Sequence, residues 1–345
     1  MKSTANILLD RHISLWRFII NGISKRNFDQ FWIVTILFFL IFTIYSLVLP
    51  GFFTIGNLLT LVRTVAILGI LGLGMAIVVI GRGIDLSMIA TLAVPSAIVL
   101  TLSSKGFGIV PALFCGLIIS IGIGLLNGIL VAYAEIPSIF TTLAVGISIA
   151  GIGQLGMFDN EIIYWPSTLD SIAWIGRGNL LGVPYSVLAF GAVAIIVGIF
   201  LRYTRYGMFI YASGDNPNAT RLTGIPLRPV LVMQYIFSAC IAFFAGMVMS
   251  ASSSNMDTRI FNLNWIYDVI LVVVLGGIGL SGGRGGVINV IVGTLLIGTI
   301  MNGLTIMNVP FEVQNLVRGL VLLVAVLIDS LINPRNEETA QQGDI

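Results

Sequence analysis

Apolar runs long enough to cross a bilayer follow one another along most of the chain, broken by short stretches of glycine, proline, amide and charged residues. A helix needs about 20 apolar residues to traverse the hydrocarbon core. That criterion places spans at Trp32–Leu49, Leu61–Ile80, Leu86–Leu102, Ile109–Ala132, Ile139–Leu155, Val183–Leu201, Val230–Ala251, Ile266–Leu280, Val287–Ile306 and Val313–Ile332. About ten crossings result. The runs around Leu86 and Ile266 are short and interrupted by glycine or proline, which marks one of them as a candidate broken or re-entrant segment. The expected fold class is all-α, a polytopic integral membrane bundle over residues 31–332, with a leader at 1–30 and a polar tail at 333–345.

Composition fixes the solvent. Hydrophobic residues make up 57% of the chain and charged residues 9%, and the mean hydropathy is +1.04, values foreign to a soluble domain. The chain belongs in a lipid bilayer. The 39 glycines suit close helix packing in lipid, where no hydrophobic force draws helices together. The net charge of +2 is scattered along the chain, so a nucleic-acid partner has no support. Cys115 and Cys240 lie in apolar segments and imply neither a disulfide nor a metal site.

The basic residues report orientation. Lys2, Arg11, Arg17, Lys25 and Arg26 precede a full-length span with no cleavage site after it, which reads as a retained cytosolic leader. With the N-terminus in the cytosol, those five fall inside together with Arg82, Arg202, Arg205, Arg221, Arg228, Arg284 and Arg335. Arg63, Lys105, Arg177, Arg259 and Arg318 fall outside or near that face. Twelve against five obeys the positive-inside rule. The external segment 158–182 carries Asp159, Glu161 and Asp170 with Tyr164, Trp165 and Trp174. It fits an interfacial aromatic belt, or a landing surface for a soluble delivery protein.

One sizeable polar, basic island interrupts the apolar pattern, at residues 202–229. Within it Asn216-Pro217 can open a helical turn, Gly224 can close it, and Leu222 and Ile225 offer an apolar face. A loop of this kind is expected to dock on a cytosolic partner.

Several chemistries are closed. The only lysines, Lys2, Lys25 and Lys105, lie outside any phosphate-binding loop, so the chain has no such motif for hydrolysing ATP. The glycine-rich run 276–285 follows a span and reads as a tight turn between packed helices. His12 is the sole histidine and lies in the leader, which excludes a zinc-hydrolase motif. No catalytic residue and no metal site is assigned. Asp85 and Asp268 are the best buried carboxylates, with an N-cap reading for Asp85 standing beside a pathway role. A local echo links Val79–Ser87 with Val273–Ser281, and a second links Asn127-Gly128 with Asn302-Gly303. Transporter paths tend to form where repeats meet. Asp85, Asn127, Asp268 and Asn302 are therefore the candidate polar path.

Gly83-Ile-Asp-Leu-Ser87, Ile175–Pro184, Thr204-Arg-Tyr-Gly207, Gly214-Asp-Asn-Pro-Asn-Ala-Thr-Arg-Leu-Thr-Gly-Ile225 and Tyr267–Gly285 occur in one order over most of the chain. Together they resemble the permease subunit of bacterial ABC importers of the ribose/xylose/galactose type. The resemblance implies an inner-membrane importer subunit for a sugar or sugar-like solute. It would pair with a second permease copy or paralogue, with ABC ATPase subunits that bind ATP and magnesium, and with an external solute-binding protein. It also implies that Asn216, Pro217, Ala219, Thr220, Arg221, Leu222, Gly224 and Ile225 form the ATPase-coupling segment. This chain departs from the family at Arg82, where a glycine is usual, at Met88-Ile89 and Thr220, where smaller residues are, and at Gly279, where a hydroxyl is commoner. The rival reading is a secondary transporter or facilitator working alone; a membrane enzyme would need an acid/base or metal cluster that the sequence lacks.

Overall fold

The computed structural model describes residues 30–155, 161–262 and 265–332; apart from Gln30, the leader and the polar tail lie outside them. The described chain is a bundle of apolar helices, as the pattern predicts. They are α1 (Gln30–Val48), α2 (Ile55–Ile80), α3 (Met88–Ser104), α4 (Ile109–Ala132), α5 (Ser138–Gln154) and α6 (Tyr185–Tyr203). After the short helices α7 (Arg205–Asp215) and α8 (Pro217–Leu222) come α9 (Leu227–Ser253), α10 (Trp265–Leu275), α11 (Val287–Ile306) and α12 (Phe311–Ile332). Seven of these are long and apolar enough to cross a membrane, and α3, α5 and α10 are shorter apolar helices.

Helix α2 is the axis of the bundle, with 83% of its apolar window buried, while the windows of α1 and α12 are 6% buried. Buried Leu, Ile and Val of α2, α3, α10 and α11 form one continuous core. The outer helices present large apolar side chains outward, such as Leu316, Leu320, Leu323 and Leu327 on α12. That inverted pattern is what a hydrocarbon solvent requires.

Small residues set the closest crossing. On α4 the buried positions include Ala112, Gly116, Ser120, Gly124, Gly128 and Ala132, one every fourth residue. A side chain at Gly124 or Gly128 would collide with the α9 backbone at Tyr235 and Val232, so the two helices meet backbone to backbone.

Helix α10 is the broken segment that its short, glycine-interrupted run allowed for, and it ends earlier than the predicted span. The predicted span Ile266–Leu280 is helical for only 11 residues, to Leu275, or about 16 Å at 1.5 Å per residue, half a crossing. Gly277, at φ +89°, closes the helix in the left-handed region, and 276–286 continues as non-helical backbone.

Two small strand pairs sit at the end of the bundle away from α7 and α8. Strand β1 (Ile162–Tyr164) pairs antiparallel with β4 (Asn255–Asp257), matching Ile163 with Met256, and β2 (Asn179–Leu180) pairs with β3 (Val183–Pro184). Arg259 bridges Glu161 at 2.9 Å and Asp257 at 3.2 Å across the first pair.

Candidate functional site

Two non-helical segments, 81–87 after α2 and 276–286 after α10, meet at the end of the bundle that carries α7 and α8. Both helices stop in the same way. At α2 the amide of Gly83 donates to Val78 O and that of Arg82 to Val79 O, both at 2.9 Å. At α10 Ile278 N donates to Val273 O at 3.1 Å and Gly277 N to Val274 O at 3.0 Å. These are matching Schellman caps, with Arg82 (φ 67°) and Gly277 in the left-handed position. The sequence echo therefore has a structural counterpart, shifted by one residue from the register read in the sequence. The two loops also touch, since Gly283 N donates to Ile80 O at 2.8 Å.

Irregular backbone inside a membrane bundle needs partners for its amides. Hydroxyls of α5 supply them: Ile84 N donates to Ser138 Oγ at 3.2 Å and Leu86 N to Thr142 Oγ1 at 3.0 Å. Asp85 is 1% exposed. Its Oδ1 accepts from Ser87 N at 3.1 Å and Ser87 Oγ at 2.6 Å, and its Oδ2 accepts from Ser238 Oγ of α9 at 2.7 Å. Asn127 of α4 donates through Nδ2 to Ser87 Oγ at 2.7 Å. Asp85 and Asn127 thus belong to one buried cluster. The N-cap reading of Asp85 is corrected: α3 is capped at Ser87 without a side-chain bond, and the carboxylate instead closes a turn onto Ser87 and reaches α9. Beside the cluster, both amide atoms of buried Gln234 and the Oδ1 of Asn127 have no hydrogen-bond partner among the described residues.

The other two path candidates lie elsewhere. Asn302 exchanges a pair of bonds with Asn57 at 2.9 and 3.0 Å, near the first residues of α2, whereas Asn127 reaches the loop after its last. Asp268 forms an ion pair with Arg318 at 3.3 Å, tying α10 to α12. Arg318 stands on α12 and also donates to Asn315 Oδ1 at 3.0 Å. Removing one partner of a poorly solvated pair strands the other charge. Asp268→Ala is expected to cost about 2–3 kcal/mol, read as a lower melting temperature in detergent, while the double variant Asp268→Asn with Arg318→Met recovers most of the loss.

The basic island folds as two short helices. Thr204 caps α7 by accepting from Gly207 N at 3.1 Å. Asn216 caps α8 by accepting from Ala219 N at 3.0 Å, with Pro217 in the first turn. Buried Thr220 places Oγ1 2.8 Å from the carbonyls of Ala212 and Asn216, stapling α8 to α7. Gly224 follows with φ +79°. The apolar face is split: Leu222 is 90% exposed, while Ile225 packs on the core. Helix α7 docks on both loops. Tyr211 Oη donates to Gly285 O at 2.7 Å, and burial raises its hydroxyl pKa. Gly214 packs directly on Ile80 O and Gly283 N.

Residues 57–326 match the family described as "Branched-chain amino acid transport system / permease component". The chain belongs to this permease family. Over 312 residues it is 30% identical to the ribose import permease protein RbsC of Escherichia coli (strain K12), covering 89% of this chain and 97% of the relative. The RbsC of Bacillus subtilis (strain 168) is 34% identical over 291 residues, 84% of this chain and 90% of the relative. The galactofuranose transporter permease protein YtfT of Escherichia coli (strain K12) is 30% identical over 299 residues, 84% and 87% of the two chains. No solved structure matches. The family resemblance drawn from the motifs is borne out.

The permease's polar cluster includes residues the sequence reading missed: Ser87, Ser138, Thr142 and Ser238. A usable signal was present. Ser138 and Thr142 are four residues apart in an apolar helix, hence on one face.

Proposed function

We propose that the permease is the membrane subunit of an ATP-driven importer for a sugar or sugar-like solute, with α7 and α8 as its ATPase-coupling segment on the cytosolic face. One observation carries this reading: α7 is seated directly on the two loops that follow α2 and α10, and the first of those loops holds the buried Asp85 cluster. A pull on α7 and α8 has no slack to cross before it reaches polar groups in the bundle. Separate ATPase subunits would bind ATP and magnesium. An external binding protein would deliver the solute at the end carrying β1 to β4, and a second permease copy or paralogue would complete the pathway. The names of the full-length relatives support a pentose or hexose class of cargo. Hydroxyl-rich solutes also suit the amide and hydroxyl side chains around Asp85.

The exposed Leu222 is the contact to test. Its replacement by aspartate removes an apolar anchor from a surface and leaves the fold alone, since exposed substitutions shift stability by only about 0.5 kcal/mol. Leu222→Asp is expected to weaken co-purification with the tagged partner ATPase about tenfold, with an unchanged melting temperature. Ile225 is unsuited to this test because it packs on the core. Uptake into vesicles should require ATP and survive a protonophore. Uptake by the permease alone, abolished by the protonophore, would instead identify a stand-alone carrier.

A further inference from the structure

Arg82 occupies a position where its residue type is costly. A non-glycine residue in the left-handed region carries a penalty of about 1 kcal/mol, and the matching cap of α10 has Gly277 there. The side chain explains the exception. Its Nε lies 2.6 Å from Gly214 O and 2.7 Å from Ser281 O, and its Nη2 donates to Asp215 O at 2.8 Å. Gly214 and Asp215 are the last residues of α7, where free carbonyls and the helix dipole favour a cation. One guanidinium thus joins the end of α7, the loop after α10 and the loop after α2.

Three residues further along that loop stands Asp85, bonded to α9 through Ser238 and to α4 through Ser87 and Asn127. The stretch between them is tightly held. Gly83 is pressed against the Tyr235 hydroxyl and Val78, with no room for even a methyl group, and Ile84 N is bound to Ser138. We propose that Arg82 is a positioning residue that conveys displacement of α7 and α8 to the buried Asp85 loop, and so couples the cytosolic segment to the polar cluster. This inference rests on the reading of α7 and α8 as the coupling segment.

Arg82→Gly isolates the side chain. Glycine takes the left-handed conformation freely, so the α2 cap and the Gly283–Ile80 bond are retained while the guanidinium bonds are lost. The disturbance is supplied by Thr220→Arg, which cannot be housed at a buried site and lifts α8 from the end of α7. Hydrogen exchange of the full-length chain in nanodiscs is followed at the amides of residues 83–87. With Arg82 present, Thr220→Arg should raise their exchange about tenfold; in the Arg82→Gly background it should add less than about twofold. An equal rise in both backgrounds, or none in either, would overturn the proposal. A merely structural role would shift the starting exchange in Arg82→Gly but leave the response to Thr220→Arg intact. If Arg82→Gly is not recovered from membranes, Arg82→Lys replaces it, with an intermediate response expected from its single ammonium group. The measurement needs neither ATPase nor solute, so failure to find an ATPase partner counts against the transport reading and not against this linkage.

Discussion

Replacing Asp85 by alanine is expected to destabilise the permease by about 3–6 kcal/mol and to reduce uptake at least about a hundredfold. Three donors converge on that carboxylate: Ser87 N, Ser87 Oγ and Ser238 Oγ. Each buried donor left without an acceptor costs about 1–3 kcal/mol, because neither water nor lipid replaces the lost bond. The loss is also not local. Without the carboxylate the 81–87 loop no longer holds α9, and Asn127 of α4 is bonded to a serine that has lost its own anchor. Asp85→Asn separates shape from charge. Its carbonyl can still accept from Ser87, and its amide can donate to Ser238 once that hydroxyl turns round, so its stability cost should be near 1 kcal/mol. Thermal unfolding in detergent and solute uptake in vesicles read the two effects independently. A stable Asp85→Asn that has lost uptake would assign the role to the negative charge. Normal uptake and normal melting in Asp85→Ala would sink the cluster as a functional site.

The parts of this architecture legible in the sequence are those that lipid dictates. Helices α4 and α11 begin and end at Ile109, Ala132, Val287 and Ile306, as the apolar runs indicate. Helix α8 starts behind Asn216-Pro217 because capping is a local property of the chain. Partnerships between distant segments were not legible. Asn57 and Asn302 are 245 residues apart, and nothing in either neighbourhood names the other. Asp268 and Arg318 reveal themselves as a pair only once α10 and α12 cross. The reading of Leu222 and Ile225 as one apolar face failed for a related reason: Ile225 lies beyond Gly224, where the chain has already turned towards the core. Where α10 stops was written in Gly276-Gly277, yet the apolar residues that follow it, Ile278 and Leu280, imitate a continuing span.

Gly214→Val should have the second large effect, and its signature should differ from that of Leu222→Asp. Gly214 lies in α7 with ordinary helical backbone, so on propensity alone a side chain there would stabilise the helix by several tenths of a kcal/mol. Tertiary contact reverses the sign. A Cβ at this position runs into the carbonyl of Ile80 and the amide of Gly283, two backbone groups that cannot step aside without giving up their own 2.8 Å bond. Helix α7 must lift, and Arg82 then loses its acceptors at Gly214 and Asp215. A loss of about 3 kcal/mol follows from overpacking and the broken bonds together. The outer surface of α8, with Leu222 exposed, is not touched by this change. The variant is therefore expected to bind the ATPase within about threefold of wild type while uptake falls about a hundredfold, a complex that assembles but does not transmit. Gly191→Ala is the control, since a Cβ there meets nothing within 4 Å and should leave uptake and melting unchanged. If Gly214→Val transports as well as that control, α7 does not pass force through its seat on Ile80 and Gly283, and the coupling route must run elsewhere in the bundle.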